Sequence, residues 1–170
     1  MSISKFDGVF KIMKMSFPES EIRTYEGQKN LLNNPKYRLI VKEGQDGQVL
    51  AFMAVWELNN FNFIEHLAVH PNSRGTGIGT KIIKEYLNFT KKPIVLEIEV
   101  PNNKYENTVR RKNFYEKLGF KLNNNIYYQL PLKKGGSKME MKLMSYPKEL
   151  NDAEFEKVEQ EIQKEVYPKF

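Results

Sequence analysis

Apolar and polar positions alternate along the chain with two periods, one near 3.6 and one near 2. Residues 5–16 put Phe6, Val9, Phe10 and Met13 on one helical face, and Pro18 ends that helix. A second, shorter helix is expected over 21–32. Strands are expected over 37–42, 49–58, 61–69 and 93–100. The first two are joined by the Gly44-Gln45-Asp46-Gly47 turn and the next pair by Asn59-Asn60. A helix over about 77–90 would turn Ile78, Ile82, Ile83, Tyr86 and Leu87 inward. Another over 107–118 stops at Gly119, which suits a left-handed C-terminal cap. Residues 126–132 and 138–144 read as a closing antiparallel pair. Asn151 or Asp152 would cap a last helix whose Phe155, Val158, Ile162 and Val166 share a face.

The order of these elements predicts an α/β fold. Its centre is a mixed, mostly antiparallel sheet flanked by helices, with one strand–helix–strand crossover over 62–100 and a C-terminal helix appended. The expected organisation is a domain over 1–148. An acidic helix over 149–170 would then pack on that domain or on a second subunit, giving a homodimer.

Composition removes several chemistries. The chain has 170 residues and no cysteine, so disulfides, thiolate nucleophiles and cysteine metal sites are excluded. His66 and His70 are the only histidines, so no metal is expected. No apolar run approaches the roughly 18 residues of a membrane span. The first residues lack an apolar signal core, so a soluble cytoplasmic protein with no membrane partner is expected.

Charge is unevenly spread. The net charge is +6, yet residues 149–166 hold seven acids and two lysines, while residues 81–134 hold twelve bases and five acids. A basic body attracts phosphate-bearing partners. Net charge alone would allow nucleic acid, but no basic-aromatic recognition motif accompanies it, so no nucleic acid partner is expected.

The most informative stretch is His70-Pro71-Asn72-Ser73-Arg74-Gly75-Thr76-Gly77-Ile78-Gly79-Thr80, between a strand and a helix. Glycines let a backbone approach an anion closely, and the free N–H groups of a helix start point toward it. Arg74 can add a charge-assisted bond. The spacing fits neither a Walker loop nor the G-x-G-x-x-G dinucleotide fingerprint. On these residues alone, a phosphate cradle and a strain-relieving turn stand level.

Two signatures carry a family resemblance. Arg74-Gly75-Thr76-Gly77-Ile78-Gly79 resembles the R/Q-x-x-G-x-G/A cofactor motif of the GNAT superfamily of N-acetyltransferases. Phe114-Tyr115-Glu116-Lys117-Leu118-Gly119-Phe120 is similar to that family's F-Y-x-x-x-G-F segment. The resemblance covers about residues 5–145. Where many members carry an asparagine seven residues before the tyrosine, this chain has Thr108, with Asn107 adjacent.

The resemblance implies an acetyl-CoA-dependent N-acetyltransferase acting on a primary amine of a small molecule or peptide. Main-chain amides of Gly75, Thr76, Gly77, Ile78, Gly79 and Thr80 would hold the diphosphate of acetyl-CoA, with Arg74 beside them. The main chain of Leu67 and Val69 would pair with the pantetheine arm as an added strand would. Asn107 would stand near that arm, and Arg111 would reach the 3′-phosphate.

Tyr115 would be the general acid, because a phenol of pKa about 10 is protonated at neutral pH. Glu65 would be the general base if apolar surroundings raised its pKa, or else a strand carboxylate paired with a lysine. Glu97 and Glu99, sharing a face of the neighbouring strand, are alternatives acting through water. His70 is expected to shape the turn and His66 to be structural. Trp56 would either line the acceptor pocket or pack in the core. A catalytically silent acyl-CoA-binding sensor is the alternative on the same fold.

Overall fold

A computed structural model describes residues 1–170. The chain forms an α/β fold with a seven-stranded, mostly antiparallel sheet flanked by helices. Two compact units share the chain. The first comprises Met1–Leu58 with Ile64–Lys91, and the second Asn59–Phe63 with Lys92–Phe170. The C-terminal helix lies inside the second unit.

In the first unit, α1 (Ile3–Ser16) starts at Ser2, whose hydroxyl accepts the Lys5 N–H. Its buried stripe is Phe6, Val9, Ile12 and Met13. That stripe packs on β2 (Val49–Glu57), in which Ala51 through Trp56 are all buried. A strand buried on both faces loses the alternation of a half-exposed one, which is why 49–57 reads as a continuous apolar run. β1 (Tyr37–Glu43) pairs antiparallel with β2, Tyr37 opposite Trp56, and β3 (Asn62–Val69) is the next strand beyond β2. On β2 also packs α3 (Ile78–Phe89), burying Ile82, Ile83 and Tyr86.

The single helix expected over 21–32 is a correction. The structure has a 3₁₀ turn at Glu19–Glu21, then α2 (Tyr25–Asn30) capped by the Thr24 hydroxyl, then a second 3₁₀ turn at Leu31–Asn33. Thr24 explains the break. Its side chain accepts the Gly27 N–H, a bond that requires extended backbone at residue 24 rather than a helix running through it.

In the second unit, β4 (Ile94–Glu99) pairs antiparallel with β7 (Met139–Tyr146). Two short strands, β5 (Lys121–Leu122) and β6 (Tyr127–Gln129), pair antiparallel with other parts of β7. β5 had no counterpart in the hydrophobic pattern, because two residues cannot show a period. Against β4 and β5 lies α4 (Glu106–Lys117). The last helix, α5 (Asp152–Glu165), opens with a reciprocal capping box between Asn151 and Glu154. Its Phe155, Val158 and Ile162 are buried, together with Val166 and Tyr167 just beyond it. Each such side chain contributes roughly 1.5–3 kcal/mol by leaving water. Asn123 ties the approach to α5 down, donating to Leu143 O and Ser145 Oγ while its own Oδ1 accepts the Leu150 N–H.

Candidate active site

The glycine-rich turn lies wholly in the first unit. His70 caps a 3₁₀ turn at Pro71–Ser73, and its Nδ1 accepts the Asn72 N–H at 3.1 Å, so His70 shapes the turn. Thr76 Oγ1 donates to Ser73 O at 2.6 Å. Gly75 and Gly77 then adopt φ of +79° and +80°, the left-handed region open to glycine at low cost. Gly77 is the N-cap of α3 and offers no side-chain cap.

None of the amides of residues 75–80 donates a hydrogen bond within the protein. Three belong to the loop, and three belong to the first turn of α3, where no carbonyl precedes them. Nothing stands within 4 Å of a Cβ built on Gly75 or Gly77. Arg74 is exposed; its Nε donates to Val69 O at 3.4 Å and the side chain forms no ion pair. Six free donors, the positive end of a helix and an unpaired guanidinium make an anion cradle. The residues present therefore fit a diphosphate. Gly79 and Thr80 would serve it from helical backbone, not from a strained turn.

Glu65, Leu67 and Val69 follow the period of two along one face of β3. Leu67 and Val69 are half-buried at its outgoing end. Glu65 is buried and corrects the expectation of a raised pKa. Arg23 Nη1 donates to its Oε2 at 2.9 Å, and Trp56 Nε1 donates to its Oε1 at 2.8 Å. Burial pushes the carboxyl up, but Arg23, His66 and the Trp56 N–H outweigh it and hold it below its usual range. An ionised carboxylate with a strong donor on each oxygen is a poor proton acceptor at neutral pH. The ion pair with a lysine is also corrected: the partner is Arg23, whose guanidinium reaches this buried carboxylate. Trp56 packs edge-on against Tyr37, 5.2 Å between ring centroids.

In the second unit, Tyr115 is buried in α4, its ring set edge-on against Phe114 and Phe120. Burial pushes its hydroxyl up to about 12, although the nearby Arg111 guanidinium pulls the other way. The phenol is thus protonated across the neutral range, and no side chain or carbonyl bonds its hydroxyl.

Asn107 is exposed at the start of α4. Thr108 is buried, its hydroxyl donating to Tyr105 O at 2.7 Å and accepting the Asn102 N–H at 2.9 Å, which fixes the turn into α4. Arg111 Nη1 donates to Glu99 Oε1 at 2.8 Å, so its guanidinium is held by a carboxylate. Glu97 accepts hydroxyls from both Tyr127 (2.7 Å) and Tyr167 (2.6 Å).

Arg23 and Tyr167 were missed by the sequence analysis. Tyr167 lies next to Val166, the last apolar position expected on the final helix, but nothing in that pattern marks its hydroxyl. Arg23 has no periodic signal at all. No group of three or more His, Asp or Glu residues could hold a metal ion, and no helix is long and apolar enough to cross a membrane.

Comparison with known proteins adds the family. The model of the acetyltransferase (GNAT) domain matches residues 35–122. The chain is 31% identical over 113 residues to "Putative acetyltransferase YjbC" of Bacillus subtilis (strain 168), a match covering 66% of this chain and 56% of that protein. The chain thus spans little more than half the length of this relative. Among solved structures it is similar to a GNAT-family acetyltransferase from Bacteroides thetaiotaomicron, with 29% identity, a TM-score of 0.86, and coverage of 97% of this chain and 93% of that one. An aminoglycoside 6′-N-acetyltransferase complexed with coenzyme A shares the fold at 18% identity and TM-score 0.60, over 85% of this chain and 91% of that one.

Proposed function

The chain belongs to the GNAT acetyltransferase family, and from that premise we propose that it transfers the acetyl group of acetyl-CoA to a primary amine of a small molecule or peptide, by direct attack in a ternary complex. The observation that carries this is the run of unpartnered amides over 75–80 beside an unpaired Arg74. These amides are exposed or half-buried and so open to a ligand, and a diphosphate supplies acceptors for several at once at the positive end of a helix. The aminoglycoside enzyme that shares the fold is named for acting on an amine, in keeping with an amine acceptor here.

When bound, acetyl-CoA supplies an acetyl group activated as a thioester. Residues 75–80 and Arg74 hold its diphosphate, and the main chain of Leu67 and Val69 aligns its arm. We assign Asn107 to that arm. Arg111 reaches the 3′-phosphate while keeping Glu99 as its counter-ion. Tyr115, protonated and fixed by Phe114 and Phe120, gives its proton to the departing thiolate. The amine must shed a proton before it attacks. Water carries that proton, because Glu65, Glu97 and Glu99 each hold fixed donors. The cytoplasm, which supplies acetyl-CoA, is the compartment this function calls for.

The test is a screen of polyamines, amino acids, aminoglycosides and peptide N-termini with acetyl-CoA, read by release of free CoA thiol. The chain has no cysteine, so it adds no thiol of its own. Amine-dependent release supports the transferase. Tight acetyl-CoA binding with no release on any amine would instead favour the silent sensor.

A further inference from the structure

Glu65 and His66 are neighbours on β3, so their side chains leave opposite faces of the strand. Both are met by one short segment, residues 17–23, between α1 and α2. Arg23 pairs with Glu65 at 2.9 Å, and the two side chains are only 5% and 1% exposed. On the other face, His66 Nε2 lies 2.8 Å from Glu21 O, and its ring stands edge-on to Phe17 at 4.8 Å. The segment therefore grips β3 from both sides.

The network extends further. Trp56 Nε1 fills the remaining oxygen of Glu65, the Arg23 guanidinium lies 6.0 Å from the Trp56 ring, and Tyr37 packs on that ring while its hydroxyl accepts Gln28 Nε2 at 2.9 Å. With β1 and α2 backing Trp56 through Tyr37 and Gln28, the 17–23 segment and β2 thereby meet on one carboxylate of β3. The titratable and charged groups facing it are Arg23, His66 and Tyr37.

We infer that Arg23 and Glu65 are positioning residues of this acetyltransferase: their buried ion pair fixes β3, and with it the outgoing stretch Leu67–Val69 and the amide cradle of residues 75–80, so that Glu65 acts by holding the donor-binding strand rather than by accepting a proton. The inference rests on the proposed function. It follows from spacing. Leu67 and Val69 are the next two residues on the Glu65 face, and the cradle begins six residues after Val69. A strand is stiff along its length only when its ladder and side chains are held. A buried carboxylate anchored at both oxygens is the strongest such hold on this strand.

The experiment compares the wild type with Glu65→Gln, Arg23→Lys and the double variant Arg23→Met/Glu65→Gln. Each is measured for acetyl-CoA affinity by calorimetry, for kcat and KM, for the pH–rate profile, and for thermal stability. A positioning role predicts that Glu65→Gln raises KM for acetyl-CoA about tenfold or more while the limb of the pH profile that rises from acid pH stays where it is. Arg23→Lys keeps the charge but loses the fork, and falls between Glu65→Gln and wild type. The double variant removes the uncompensated guanidinium and keeps an acceptor for Trp56 Nε1 but still lacks the ion pair, so kcat stays within about threefold of wild type while KM for acetyl-CoA remains raised about tenfold.

Loss of the acid limb in Glu65→Gln, with no recovery in the double variant, would make Glu65 the base and overturn the inference. Lowered thermal stability with KM and kcat unchanged would also overturn it, leaving a purely structural pair. If Glu65→Gln does not fold, the double variant decides alone: a raised KM with kcat near wild type supports positioning, and a lost kcat or an unchanged KM counts against it. No heat from the wild type with acetyl-CoA would instead end the proposed function, an outcome distinct from either failure of the clamp.

Discussion

The Tyr167 hydroxyl donates a 2.6 Å hydrogen bond to Oε2 of Glu97, a residue 70 positions earlier on β4. The Tyr127 hydroxyl lies 2.9 Å from that of Tyr167 and bonds the same oxygen. The segment after α5 therefore inserts a polar group into the interior of the second unit and satisfies it there. The basic body and the acidic tail, separable by composition, are joined by a bond between a phenol and a carboxylate.

Tyr167→Phe should therefore cost about 1.5–3 kcal/mol, the usual worth of a hydrogen bond to a charged group, with Glu97 still served by Tyr127. Urea unfolding should show a lower midpoint and an unchanged slope. A midpoint equal to wild type would mean that the bond adds nothing to stability.

Alkaline pH should unfold the protein in a definite window. Burial raises Tyr115 to about 12, and burial with the Glu97 charge raises Tyr167 well above 10. A group whose folded pKa is raised gives stability that is complete below its unfolded pKa and lost as pH climbs toward the folded one. The contribution of Tyr115, about 3 kcal/mol, should be intact below about pH 10 and disappear between about 10 and 12. Phenolate absorbance should rise together with loss of the circular dichroism signal. Free titration of every tyrosine near pH 10 in a folded protein would contradict this.

Gly77→Val puts a branched side chain at φ +80°, which costs roughly 1–2 kcal/mol in the left-handed region. Its Cβ enters space that no protein atom fills. The expected result is a folded protein with a modestly lower melting temperature and acetyl-CoA affinity weakened at least about a hundredfold by calorimetry. Unchanged affinity would remove the cradle from the donor site.

For Tyr115→Phe, the ring and its packing against Phe114 and Phe120 remain, and only the proton is lost. Turnover should fall about a hundredfold or more, while KM for acetyl-CoA stays within about twofold. Equal turnover would end the general-acid assignment.

Much of the fold was legible because its signals are local. The stripe of α1, the glycine start of α3 and the capping residue of α5 each lie within a few residues of the structure they dictate. The glycine turn was legible for the same reason: Gly75 and Gly77 set their own φ, and the amides after them open a helix whose start needs no distant residue. The 21–32 region misled because Thr24 competes for a backbone N–H, a contest that apolar spacing does not register.

The sequence by itself determined the elements, the glycine turn and the pairing of an arginine-glycine motif with a Phe-Tyr segment. Only the tertiary structure decided what its charged side chains do. Glu65 looked like a base in an apolar strand until Arg23, 42 residues away, was found against it. Glu97 reads in the sequence as an alternative base acting through water, whereas in the fold it accepts the Tyr167 hydroxyl. Backbone conformation follows from neighbours in the chain, whereas the protonation of a buried group follows from whichever charges and donors folding brings within about 3 Å.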